Sequence, residues 1–169
     1  MKINPTTPTL LTTIQEKVYS PSFLKITNLE IKQEGQEYQA CNFQLNDYSI
    51  ICRTAKVTPK KAGQFVTFWK RDAEGITTPF DENDAFDFYV INVIASIEMG
   101  QFVFPKALLI EKGIISTSEK EGKRGFRVYP SWDKVSSKQA IKTQKWQLNY
   151  FIVIDPKLDL KTVKERYRI

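Results

Sequence analysis

The sequence predicts an α/β (α+β) protein built on a central mixed β-sheet flanked by helices, and three observations carry that expectation. Apolar residues recur at helical spacing near both ends of the chain, whereas between them they alternate with period two. One segment, "DFYVINVI", is almost continuously apolar, as expected for a central strand covered on both faces. The length, 169 residues, suits one well-buried core and is short for two, so residues 1–169 read as a single domain.

Taken in order, "TTPTLLTTIQEKVY" places Leu10, Leu11, Ile14 and Val18 on one helical face. Thr7 is positioned to cap that helix, and Pro8 suits a first turn that misses no amide donor. "SPSF" ends it, and Ile26, Leu29 and Ile31 predict a second short helix, giving an N-terminal helical segment over 7–33. Past Gly35 the pattern changes. "NFQLND", "YSIICRTAK", "QFVTFWKR", "DFYVINVI" and "GQFVFP" read as five strands, the first pair joined by a turn at Asp47 and Tyr48. "TPKKAGQ" is a basic loop or helical turn. "KALLIEKG" is a short helix stopped by Gly113, and "GKRGFRVYP" is a basic loop running into a strand. "SSKQAIKTQKWQLNYF" predicts a helix with a capping box from Ser136 to Gln139 and an apolar face of Ala140, Ile141, Gln144, Leu148 and Phe151. "DLKTVKERYR" predicts a final helix over 159–168.

Composition removes several function classes. There is no histidine, which excludes Ser-His and Cys-His dyads, HExxH metalloproteases and nucleases with a histidine base. Cys41 and Cys52, without CxxC spacing, make no zinc site and read as a reduced, buried pair. No apolar run approaches the roughly 20 residues that span a bilayer. "MKINPTTPTLLTT" lacks a long apolar stretch, so a cytoplasmic protein without a secretory signal or membrane partner is expected.

The net charge of +6 is distributed in blocks. Residues 50–71 carry six basic groups and no acidic one, residues 72–105 seven acidic and no basic, and residues 120–146 eight basic and two acidic. Such blocks either neutralise one another across the fold or converge on an anionic ligand. The second reading selects Arg53, Lys56, Lys60 and Lys61 from the first basic block. From the second it selects Lys123, Arg124 and Arg127, with Lys138, Lys142 and Lys145 as a narrow stripe of one helix. Gly122 and Gly125 would let a ligand approach the backbone. Gln144, polar on an apolar face, is either a satisfied buried amide or a residue pointed into a site. Asp87, at the mouth of the most buried strand, could hold Mg²⁺ beside a lysine from the next strand.

Several of these stretches, "IICRTAKVTPKKAGQFVTFWKR", "PFDENDAFDFYVI", "GQFVFPKALLIEKGIIS", "GKRGFRVYPSWD" and "KQAIKTQKWQLNYF", resemble the MepB-like family over about residues 36–151. The resemblance implies a core similar to restriction-endonuclease-like folds of the PD-(D/E)xK type, with nucleic acid as the ligand. Carried over by residue, Asp87 takes the place of the metal-binding aspartate, and either Lys106 or Lys56 that of the lysine. Phe104 or Thr54 then stands where an acid is expected. The resemblance and the two basic blocks together lead to the expectation of nucleic-acid binding through Arg53, Lys56, Lys60, Lys61, Lys123, Arg124, Arg127, Lys138, Lys142 and Gln144, and the departures at Phe104 or Thr54 to that of a degraded metal site without cleavage. Two alternatives remain: an active nuclease with Mg²⁺ or Mn²⁺ on Asp87, and a non-enzymatic module whose basic face meets an acidic protein partner.

Overall fold

A computed structural model describes residues 9–169; the predicted cap at Thr7 and Pro8 lies outside them. Helix α1 (Thr9–Ile14) runs directly into a wider π turn (Gln15–Tyr19) and a 3₁₀ turn (Ser20–Ser22). Together they bury Leu10, Leu11, Ile14, Val18 and Tyr19. Strand β1 (Ile26–Ile31) follows, where the spacing predicted a helix. The reason is a break in register between Thr27 and Glu30, with Asn28 at φ 53°. One extra residue in an alternating strand puts Ile26 and Leu29 three apart, which imitates a helical step.

The remaining strands of the first half are β2 (Cys41–Leu45), β3 (Tyr48–Thr54), β4 (Lys56–Val57), β5 (Gln64–Thr67), β6 (Trp69–Arg71) and β7 (Thr77–Pro79). Then come β8 (Phe88–Ala95), β9 (Glu98–Pro105), α2 (Lys106–Glu111), β10 (Gly125–Val128), α3 (Lys138–Gln147), β11 (Phe151–Val153) and α4 (Leu160–Tyr167). Six strands form the main sheet in the order β1-β2-β3-β8-β9-β11. It is mixed: β3 and β8 are parallel and every other neighbouring pair is antiparallel. Residues Phe88 to Val93 of β8 are all buried, as their apolar run requires.

Alternation along β3 and β8 separates two cores. Ile50, Cys52, Phe88 and Val90 face α1 and α4, meeting Ile14, Tyr19, Val163 and Tyr167. Ile51, Tyr89, Ile91, Phe102 and Phe104 face the opposite way and meet Val66, Phe68, Leu109 and Phe126. Two expected strands prove to be divided. "YSIICRTAK" leaves the main sheet at Ala55, and β4 pairs instead with β5 in a small sheet ordered β10-β5-β4. "QFVTFWKR" breaks at Phe68, beyond which β6 pairs with β7 as a separate ribbon. Phe68 is fully buried, stacked 4.0 Å from Tyr89 and 4.5 Å from Phe80 between ring centroids. That stack turns the chain from one sheet into the other.

Helix α3 also departs in detail from its sequence reading. Its N-cap is Ser137, whose hydroxyl accepts from the Ala140 amide, so the expected Ser136–Gln139 box is not the cap. Ile141 is half exposed, while Gln147 is fully buried. Phe151 leaves the helix and opens β11, an edge strand of the main sheet.

Candidate functional site

Half of the first basic block, Lys56, Lys70 and Arg71, is neutralised by acidic residues around it. Lys70 reaches Asp81 at 3.0 Å and Asp84 at 2.8 Å, Lys56 reaches Glu37 at 3.2 Å, and Arg71 pairs with Glu34. Partial burial opposes charge on Lys70, but the two carboxylates outweigh it and raise its pKa. Lys70 in turn holds the Asp81 carboxyl below its ordinary value. Arg124, from the second block, pairs with Glu121 at 3.1 Å and also donates to the Thr77 carbonyl. Exposed pairs such as Lys56–Glu37 and Arg124–Glu121 contribute little to stability, about 0–1 kcal/mol each. What they do is cancel the local field.

A second set of cations behaves differently. Lys61, Lys112, Lys123 and Arg127 line one cleft of about 430 Å³ with Thr143, Trp146 and Tyr129, and no carboxylate lines it. Among the described residues none of these four cations forms an ion pair. Three segments bring them together. Strand β10 pairs with β5 across Arg127↔Phe65, which places Arg127 beside the basic loop 58–63. Arg127 fixes that loop, donating to the Ala62 carbonyl at 3.1 Å and to Thr58 Oγ1 at 2.6 Å. Gly63 makes the approach possible: its φ is +78°, and a Cβ there would stand 2.6 Å from the Tyr129 ring. Lys112, just past α2, holds its ammonium 5.1 Å from the centre of the Trp146 ring on α3.

The structure therefore brings Lys61, Lys123 and Arg127 together, and it adds Lys112, which the sequence reading missed. No signal in "IEKG" marks Lys112; only the approach of the turn after α2 to Trp146 of α3 does. Lys60 is exposed on the same loop, and Lys138, Lys142 and Lys145 are exposed on α3, outside the cleft lining. The face of α3 that lines the cleft is instead Gln139, Thr143 and Trp146. Arg53, Lys56 and Arg124 stand elsewhere. Gly122 admits the protein's own chain, since a Cβ there would fall 2.4 Å from the Ile114 carbonyl oxygen; Gly125 lines the cleft, and a Cβ there would also stand 2.6 Å from the Phe65 ring.

Gln144 spends its amide on the carbonyls of Pro130 and Asp133, both at 3.0 Å, and so braces the segment before α3. Gln147 is the buried amide that shapes the cleft. Its oxygen accepts from the Tyr129 amide at 2.8 Å and its nitrogen donates to the Arg127 carbonyl at 2.9 Å. It completes an unpaired edge of β10 and sets that strand against α3.

Asp87 stands where β3 and β8 begin side by side. Its carboxylate accepts from the Ser49 amide at 2.7 Å, while its own amide donates to the Ser49 carbonyl. Its carbonyl accepts from the Lys106 amide at 3.0 Å, but the Lys106 ammonium turns to the Asp84 carbonyl and the face of Phe86. Phe104, in the place of the expected acid, is fully buried. Among the described residues no three aspartate, glutamate or cysteine side chains gather to hold a metal ion. The lone Asp87 carboxylate, already accepting from the Ser49 amide, and the buried Phe104 in the acid's place do not reproduce the paired acids that the resemblance implies for Mg²⁺ or Mn²⁺.

These features define a mixed α+β protein with a carboxylate-free basic cleft between a small sheet and a helix. The MepB-like family model matches residues 32–153, and the chain belongs to the MepB-like family. It is similar to a solved structure described as the crystal structure of MepB, with 38% identity and a TM-score of 0.77 over 88% of this chain and 96% of that one. Among curated proteins, none matches the chain. No helix among the described residues is long and apolar enough to cross a membrane.

Proposed function

We propose that this protein binds nucleic acid in the basic cleft and does not cut it, on a scaffold of restriction-endonuclease type, in the cytoplasm. One observation supports this reading above the rest. Lys56, Lys70, Arg71 and Arg124 are matched by carboxylates, whereas Lys61, Lys112, Lys123 and Arg127 share a cleft and have none. Concentrated unpaired charge repels itself, and a polyanion relieves that repulsion while releasing counterions. Lys60, Lys138, Lys142 and Lys145 extend the positive field along the rim. Trp146 and Tyr129 offer ring surface beside the cations, suited to a base or sugar. The engagement of Asp87 by Ser49 supports the non-cleaving half of the reading.

The test is fluorescence anisotropy with labelled single-stranded DNA, duplex DNA and RNA over a salt series, with and without Mg²⁺, the products then run on a denaturing gel. Affinity should fall steeply with salt, with a log–log slope of about −0.9 for each duplex phosphate neutralised. Lys123→Gln should weaken binding and make that slope shallower by about 0.9, while Lys56→Gln changes it little. Salt-independent binding would remove the reading. Cut products that vanish with Asp87→Asn would make the protein a nuclease, and no binding to any of the three would leave the cleft for an acidic protein partner.

A further inference from the structure

Arg53 takes no part in the basic cleft. It is only 6% exposed, yet among the described residues it forms no ion pair. Its guanidinium donates to two neutral oxygens, Thr67 Oγ1 at 2.7 Å and the Trp69 carbonyl at 3.1 Å. Its buried Nε has no partner. A guanidinium withdrawn from water and left without an anion is costly, and buried donors in native proteins nearly always find acceptors. Arg53 also lines a cavity of about 390 Å³, between the β2–β3 region of the main sheet and the β6–β7 ribbon. Trp69 and Phe80 supply flat apolar wall there; Lys32, Lys70 and Arg71 also line it but are paired with Glu30, with Asp81 and Asp84, and with Glu34, which leaves Arg53 as the unmatched cation of the lining. The carboxylate in the lining is Glu34, which is committed to Arg71. This cavity shares no lining residue with the basic cleft.

We infer that this cavity is a binding site for a small organic anion, its carboxylate or phosphate directed to Arg53 and a flat apolar part held against Trp69. The volume and the mixture of apolar wall with a few charged groups suit a small-molecule site. The guanidinium fork matches either oxyanion. Binding also relieves the electrostatic cost of a buried cation. The site stands independently of the nucleic-acid reading.

The probes are benzoate, phenyl phosphate and uncharged benzyl alcohol at constant ionic strength, read by NMR at the Arg53 Nε–H resonance, which Arg53→Lys or Arg53→Gln assigns by its loss. Benzoate, phenyl phosphate or both should move the resonance saturably, and benzyl alcohol should leave it in place; which anion acts identifies the headgroup. Glu34→Gln removes the carboxylate from the lining and should tighten binding about three- to tenfold, while Lys32→Gln should weaken it by a similar factor. Neither position is buried, so these variants remain informative if Arg53→Gln fails to fold. Lys123→Gln should leave this titration unchanged. The inference is overturned by no saturable movement up to about 10 mM of either anion, by an equal response to benzyl alcohol, or by indifference to both Glu34→Gln and Lys32→Gln.

Discussion

Two glutamines three positions apart on α3 show how differently similar residues are used. Gln144 holds two carbonyls of the loop before the helix, whereas Gln147 is buried and meets the Arg127 carbonyl of β10 and the Tyr129 amide just beyond it. Removing Gln147 strands a buried amide and a carbonyl, so Gln147→Leu should cost about 1–3 kcal/mol in urea unfolding and weaken binding in the cleft. Gln144→Ala should lower stability by about 1–2 kcal/mol while leaving nucleic-acid affinity unchanged; a large loss of affinity would instead place it in the site. The sequence marks Gln144 as polar on an apolar face but gives no hint of Gln147, because an ideal helical wheel says nothing about a strand edge lying beside it. The cysteines were more legible. Cys41 and Cys52 sit opposite each other on β2 and β3, both buried, and the Cys52 thiol is pushed up by its hydrogen bond to Cys41 and by burial. Neither should react with a thiol reagent in the native protein, and both should react in denaturant.

At the scale of elements, local signals succeeded where one physical cause dominated. The continuous apolar run of β8, the glycine stop after α2 and the helix of "KQAIKTQKWQ" each rest on a single strong preference, and each is present. Errors arose where tertiary contacts divide or offset a pattern: the bulge in β1, the sheet change at Ala55 and the aromatic stack at Phe68. The cap of α3 is a finer case. Ser136 and Ser137 are adjacent, and only the hydrogen bond to the Ala140 amide distinguishes them. Ser137→Ala should therefore cost about 1 kcal/mol, and Ser136→Ala almost nothing. Equal effects from the two substitutions, measured by thermal unfolding, would contradict that assignment. The cleft itself spans three elements whose approach depends on long-range pairing, so the sequence could name two of its basic segments but not Lys112.

Across the whole molecule, buried tyrosines tie the helices and the small sheet to the main sheet, and this sets its response to alkali. Tyr19, from the N-terminal helical turn, and Tyr167, from α4, meet through their hydroxyls at 2.8 Å, and both contact Gln101 of β9. Gln101 also donates to Asn92 of β8 at 2.9 Å. On the opposite face Tyr89 donates to the Thr67 carbonyl of β5 at 2.8 Å. Burial raises the pKa of all three phenols well above the ordinary tyrosine value. A raised folded pKa means the native state holds its proton while the unfolded chain releases it above about pH 10. Stability is then fully present below about pH 10 and falls by about 1.4 kcal/mol per pH unit for each such tyrosine, about 4 for three together. The raised Lys70 acts in the same direction. With a typical total of about 5–15 kcal/mol, cooperative unfolding is expected between about pH 11 and pH 14, at the lower end for a protein near 5 kcal/mol. The rise of tyrosinate absorbance for these three groups should coincide with loss of far-ultraviolet circular dichroism. Tyr89→Phe should reduce the slope of stability against pH to about two-thirds, whatever it costs through the lost hydrogen bond, because the slope counts protons rather than contacts. If all seven tyrosines ionise while the helix and sheet signal persists, the phenols are reachable by water and the tie between the two faces is looser than their burial implies.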